Sequence, residues 1–124
     1  MKYKLIERAN PLNRNQSKWY ANAVNDGKIS KTDLAKEIAG ISSLSRGDVS
    51  NVIENLLDSI PKYLIMGKSV SLGALGTLRL SLSSEGADSA DKFNTSKISN
   101  VKVVFTPGSE LKKAIESIKF EKGE

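Results

Sequence analysis

Seven apolar residues, Val49, Val52, Ile53, Leu56, Leu57, Ile60 and Leu64, recur at helical spacing, and the stripe they make is too wide for a single neighbour to cover. A chain of 124 residues has room for one compact domain plus extras, so it has little mass of its own to close over both flanks of such a helix. The uncovered flank predicts a core shared with a second copy. Pro61 lacks the amide hydrogen that the helical ladder needs, so the helix is expected to kink or break there before Gly67 ends it.

The flanking segments fall into place around this helix. Ser30-Lys31-Thr32-Asp33 sets a capping hydroxyl three residues before a carboxylate, and Leu34, Ile38 and Ile41 follow at helical spacing, which predicts a first helix ending near Gly40. Ser45-Arg46-Gly47-Asp48 repeats the same start for the striped helix. Past Gly67 the period becomes alternating: Val70 and Leu72, then Leu78, Leu80 and Leu82, with Gly73 to Gly76 as the tight turn. Residues 83 to 100 are polar and predict an exposed, mobile arm. A strand carrying Val101, Val103 and Phe105 returns from it, and Pro107-Gly108-Ser109 opens a last helix. At the other end, Tyr3 to Arg8 and Lys18 to Val24 read as strands, with the polar stretch 10 to 17 as a loop and residues 25 to 28 as a turn. The organisation expected is a strand-forming extension, 1–28, followed by an α+β domain, 29–124.

Charge is distributed unevenly. The whole chain carries +5, and residues 1–28 hold six cations against Glu7 and Asp26, which is +4, so the remainder carries only +1. An anionic partner is plausible. Cysteine and histidine are both absent, which removes disulfides, thiolate nucleophiles, imidazole bases and the usual zinc ligands. The acids lie scattered on expected exposed faces, and the turn at Gly73 to Gly76 lacks the Lys-Ser/Thr of a phosphate loop. No enzyme, metal, cofactor or small-molecule substrate is expected. The opening residues contain no apolar signal segment, and no run approaches the ~20 apolar residues that cross a bilayer, so a cytoplasmic location and no membrane partner are expected.

Three segments carry a resemblance to a known family: Ser30-Lys31-Thr32-Asp33-Leu34, Val70-Ser71-Leu72-Gly73-Ala74-Leu75-Gly76-Thr77-Leu78, and Phe105-Thr106-Pro107-Gly108-Ser109-Glu110-Leu111-Lys112. In order and spacing the chain resembles the HU and integration host factor family of bacterial histone-like proteins. Its basic opening with Asn10-Pro11 resembles an HU-like subfamily of Bacteroides-type bacteria. The resemblance implies an α+β HU-like fold: an intertwined homodimer with a helical base, a β-sheet saddle and protruding β-ribbon arms. It also implies an architectural protein of the nucleoid that binds double-stranded DNA, including bent or distorted forms, mostly through its backbone and with little sequence preference. Rival expectations are a dimeric interaction module that has lost DNA bending, and a site-specific binder in the manner of integration host factor.

In such relatives the arm is rich in arginine and ends in a proline wedge that kinks the duplex. From Ser81 to Asn100 this chain has Lys92 and Lys97 against Glu85, Asp88 and Asp91, a net of −1, with neither arginine nor proline. Phe93 is expected to pack the base of the arm rather than to wedge. The resemblance places Lys31, Ser45 and Arg46 at the two helix starts, where relatives hold phosphates; Ser45 is expected to cap its helix as well. Arg79 and Lys102 are expected on the saddle face, with Lys68, Lys92, Lys97 and Lys112 as further contacts. Arg8, Arg14 and Lys18 are expected to supply the charge that the arm lacks. Each of these side chains also has an ordinary reading as a solvated charge. Trp19 and Tyr20, being consecutive, face opposite ways on a strand, and one of them is expected in the core.

Overall fold

A computed structural model of the chain describes residues 1–123. The elements run β1 (Lys2–Asn10), β2 (Asn13–Ala23), α1 (Lys31–Gly40), α2 (Arg46–Ile65), β3 (Val70–Ser71), β4 (Gly76–Ser84), β5 (Ile98–Pro107), α3 (Ser109–Glu116) and β6 (Glu121–Lys122).

Both helix starts are reciprocal capping boxes. The Ser30 hydroxyl accepts the Asp33 amide at 3.1 Å, and the Asp33 carboxylate accepts the Ser30 amide at 3.0 Å. Ser45 and Asp48 repeat the arrangement at 3.1 and 3.4 Å. The Ser30 amide that the Asp33 carboxylate accepts, and after it the Ser30 side chain, hold the Asp33 carboxyl below the usual aspartate value. Of the kink or break expected at Pro61, a break does not occur: α2 runs on to Ile65. In a helix of 20 residues the loss of one donor near the end is tolerated, and Gly67 at φ 83° closes the turn beyond it.

The striped helix divides its apolar residues between two environments. Val49 and Leu64 are buried, with Ile53 and Ile60 half-buried beside them, while Val52 and Leu56 on one flank of this stripe and Leu57 on the other stay open to solvent. Among the described residues, Ala35, Val49 and Leu64 are the only buried apolar side chains of the core. The chain exposes 10373 Å², whereas a compact monomer of 13.4 kDa exposes about 6,500 Å². Protruding ribbons account for part of that excess; an uncovered apolar face accounts for the rest.

The segments behind the resemblance meet in space. β3, β4 and β5 form an antiparallel sheet in that order, and a 3₁₀ turn at Gly73–Leu75 leads into β4. A Cβ on Gly76 would lie 2.5 Å from both the Phe105 ring and the Thr106 carbonyl oxygen, and one on Gly108 would lie 2.3 Å from the carbonyl oxygen of Ala74. Gly108 also donates its amide to the Leu75 carbonyl at 2.9 Å. The two glycines therefore let the β3–β4 turn and the start of α3 pack backbone to backbone. In the arm, the β4–β5 ribbon reaches Ser84 and Ile98, a register shift with Asn100 at φ 50° bends β5, and short 3₁₀ turns at Ala90–Lys92 and Thr95–Lys97 fold the tip.

The extension departs most from expectation. The stretch 10 to 17 is not a loop: β1 and β2 form a long antiparallel hairpin whose turn is only Pro11 and Leu12. Asn10 Oδ1 accepts the Leu12 amide at 2.9 Å, and Asn13 Oδ1 accepts the Asn15 amide at 3.2 Å, so the asparagines fold back on the turn instead of ending the strands. At the base, β6 adds to β1 in parallel, giving the order β2-β1-β6. The Gly123 amide donates to Tyr3 at 2.7 Å and the Glu121 amide to Met1 at 3.1 Å.

Candidate nucleic-acid interface

Strand register sorts the hairpin into two unlike faces. Tyr3, Leu5, Glu7 and Ala9 lie opposite Ala23, Ala21, Trp19 and Ser17; on the other face Lys4, Ile6 and Arg8 lie opposite Asn22, Tyr20 and Lys18. The second face carries no acid. Arg8 and Lys18 stand directly across from each other, an arrangement of like charges that disfavours the pair unless an anion sits between them. Arg8 also lies over the Tyr20 ring, 5.5 Å from its centroid, and donates to Asn22 Oδ1 at 3.4 Å.

Nearer the turn, pairing shifts between Ala9 and Asn10, so that Arg14, Asn15 and Gln16 form a bulge on β2. Leu12 at the tip is 97% exposed. Neither Trp19 nor Tyr20 is core, since they are 63% and 45% exposed; the expectation that one would be buried fails because the hairpin packs on no second layer. Lys2, at the base, is tied to Asp26 at 3.6 Å. Lys4, Arg8, Arg14 and Lys18 have no carboxylate partner among the described residues.

On the second sheet, Arg79 pairs in register with Val104 and Ser81 with Lys102, which places Arg79 and Lys102 on one face as diagonal neighbours, both exposed. The opposite face carries Val70, Leu78, Leu80, Val103 and Phe105. Arg46 opens α2 and is exposed, and Ser45 is committed to its capping box. Lys31 forms an ion pair with Glu54 of α2. This pairing joins residues 23 apart, and nothing in the local sequence announces it. Lys68 lies in the turn after α2 and Lys112 beside Lys113 on α3, both exposed. Lys92 and Lys97 sit in the two arm turns, where Phe93 between them is 41% exposed.

An apolar cavity of about 440 Å³ lined by Tyr3, Ala23 and Phe120 lies at the base of the hairpin, and a second of about 410 Å³ lies nearer the turn, lined by Arg8, Pro11, Lys18 and Tyr20. The local signal for the turn was weak, because Arg14 to Ser17 are all polar and show no alternation.

Residues 1–122 match the family described as an HU domain fused to wHTH, Ig, or glycine-rich motif. The chain belongs to this HU-HIG family. Its match spans the hairpin as well as the helices and saddle. The family member is also similar to integration host factor subunit alpha of Vibrio atlanticus (strain LGP32), at 31% identity over 96 residues, covering 76% of this chain and 98% of that protein. Among solved structures it resembles a Bacteroides vulgatus ATCC 8482 protein provisionally assigned to bacterial DNA binding. The TM-score is 0.64 at 17% identity, over 98% of this chain and 47% of the other, so the chain spans about half of that structure's length. At that identity the likeness speaks for the fold.

Proposed function

We propose that this HU-HIG family member is a DNA-binding architectural protein that acts as a homodimer, grips the duplex largely by its phosphates and serves the nucleoid of the cytoplasm without enzymatic activity. The observation that carries the reading is the face of Lys4, Arg8 and Lys18, cationic and free of acids, on a chain whose family is built around an HU domain. The names of its relatives agree: one is a subunit of integration host factor and the other is assigned to bacterial DNA binding. Arg79 and Lys102 add a second cationic patch, and Arg46 stands at a helix start whose free amides favour an anion. Lys68, Lys92, Lys97 and Lys112 complete the proposed contacts. In this assignment residues 1–28 form an accessory DNA-holding extension and 29–124 the HU-like domain. The open margins of the α2 stripe, Val52 and Leu56 on one side and Leu57 on the other, are the proposed seam between protomers.

A titration of linear, nicked and four-way-junction DNA across a range of salt tests the proposal. Saturable binding should weaken steeply with salt, log K falling by about 0.9 for each phosphate neutralised, and distorted forms should be preferred. The absence of saturation even in dilute buffer would favour the second reading, a dimeric interaction module. One observation speaks for that reading: the arm from Ser81 to Asn100 has a net charge of −1.

A further inference from the structure

We propose that the tip of the N-terminal hairpin, Pro11 and Leu12, is a wedge that enters between base pairs from the minor groove, making the hairpin rather than the β4–β5 arm the DNA-distorting ribbon. The proposal rests on the DNA-binding reading above and adds to it a site and a mode of contact. Three observations converge on the tip. The turn consists of two apolar residues, and Leu12 is 97% exposed although hydrophobic. The Leu12 side chain is almost wholly uncovered by the fold, and the turn is held by Asn10, whose Oδ1 accepts the Leu12 amide. The cations also increase toward this end: Arg8 and Lys18 face each other across the ribbon, and Arg14 stands in the bulge beside the turn. Finally, Asn10, Asn13, Asn15 and Gln16 surround the apolar pair with amides of the kind that read minor-groove acceptors.

Dimensions agree. The nine residues of β1 span about 30 Å at a rise of ~3.4 Å per residue, enough to carry the tip from the base of the hairpin into a neighbouring groove. The β4–β5 arm offers no equivalent: it has no proline, its net charge is −1, and Phe93 is flanked within two residues by Asp91. A lipid surface is the other anionic surface that such a tip could meet. One leucine and one proline present far less apolar area than even a single acyl anchor, which itself binds only marginally, so the chemistry favours nucleic acid.

The test uses the full chain and a short duplex carrying 2-aminopurine at several steps and a fluorophore at each end. Wild-type protein should raise both 2-aminopurine emission, by unstacking, and end-to-end energy transfer, by bending. Leu12→Asn, at a position exposed enough to leave the fold intact, should lose at least half of both signals and keep the salt slope. Arg14→Gln should lower the slope by about 0.9 for each phosphate that the side chain no longer neutralises. If Leu12→Asn bends and unstacks DNA as the wild type does, the wedge is overturned while DNA binding stands. If the wild type binds no duplex at all, the functional reading itself has failed. Leucine-dependent binding to phosphatidylglycerol vesicles, together with unaltered DNA bending by the variant, would reassign the tip to a membrane surface and also overturn the proposal.

Discussion

Replacing Leu56 by aspartate probes the proposed seam between protomers. Val52, Leu56 and Leu57 are 60%, 45% and 49% exposed, so about half of each side chain remains to be covered. Complete burial of such a residue is worth about 1.5–3 kcal/mol, which leaves roughly 1 kcal/mol per side chain and about 6 kcal/mol for the six that a two-fold axis brings together. Leu56→Asp removes about 2 kcal/mol of this and strands two carboxylates at a cost on the order of 2 kcal/mol each. The sum, about 6 kcal/mol, weakens association by roughly 10⁴-fold. Sedimentation velocity between about 0.1 and 100 µM should show the wild type near 27 kDa, twice the 13.4 kDa of one chain, and the variant at the single-chain mass. Asn55→Asp adds the same charge off the stripe, where Asn55 bonds only within its own helix, and should leave the dimer intact. A wild type that sediments as a monomer, or a Leu56→Asp variant that remains dimeric with an unchanged thermal midpoint, would refute the assignment.

Three further outcomes are expected. Gly108→Ala pushes a methyl group to 2.3 Å from the Ala74 carbonyl oxygen and should cost about 1–3 kcal/mol, seen as a lower melting temperature; Gly86→Ala, in open space, should change little. Glu54→Gln releases Lys31 from its ion pair and should tighten DNA binding at low salt; an unchanged affinity would show that Lys31 is not a phosphate contact. Asp33 is held below its ordinary value in the folded chain, so its capping contribution is complete above the unfolded aspartate value and fades as pH falls through the folded one. Asp33→Asn should therefore flatten the acid limb of the stability curve, as followed by circular dichroism, and leave the slope near neutrality unchanged.

The helical half of the fold was legible because its signals are local. Capping boxes at Ser30 and Ser45 span three residues, and the apolar period of α2 repeats over several turns. The hairpin was misread where composition and pairing disagree: Asn13 to Ser17 look like loop, yet register with β1 holds them extended, and a two-residue turn needs only Pro11 and Leu12. β6 left no trace, since two residues pair with a strand more than 110 positions away and carry no pattern of their own. Pro61 does not interrupt α2, because a missing donor near a helix end costs one bond and not the helix. Of the candidate site, the shared face of Arg79 and Lys102 followed from strand alternation alone, whereas the Lys31–Glu54 pair required knowing how α1 and α2 cross.

Screening explains why the position of charge matters more here than its sum. At physiological salt the field of an exposed cation fades over about 8 Å, so a net of +5 spread over the whole surface would reach a duplex only weakly and from no particular side. Concentrated on one hairpin face, the same charges act together within a screening length, and Arg8 opposite Lys18 is a repulsive pair that phosphate relieves. The acidic arm follows the same logic: repulsion from Glu85, Asp88 and Asp91 is felt only where the arm itself meets the backbone. A ribbon-armed protein can therefore do without a basic arm, provided that another ribbon carries the cations to the phosphates. In the proposed reading that role falls to the hairpin, whose base is fastened by β6 to the segment leaving α3.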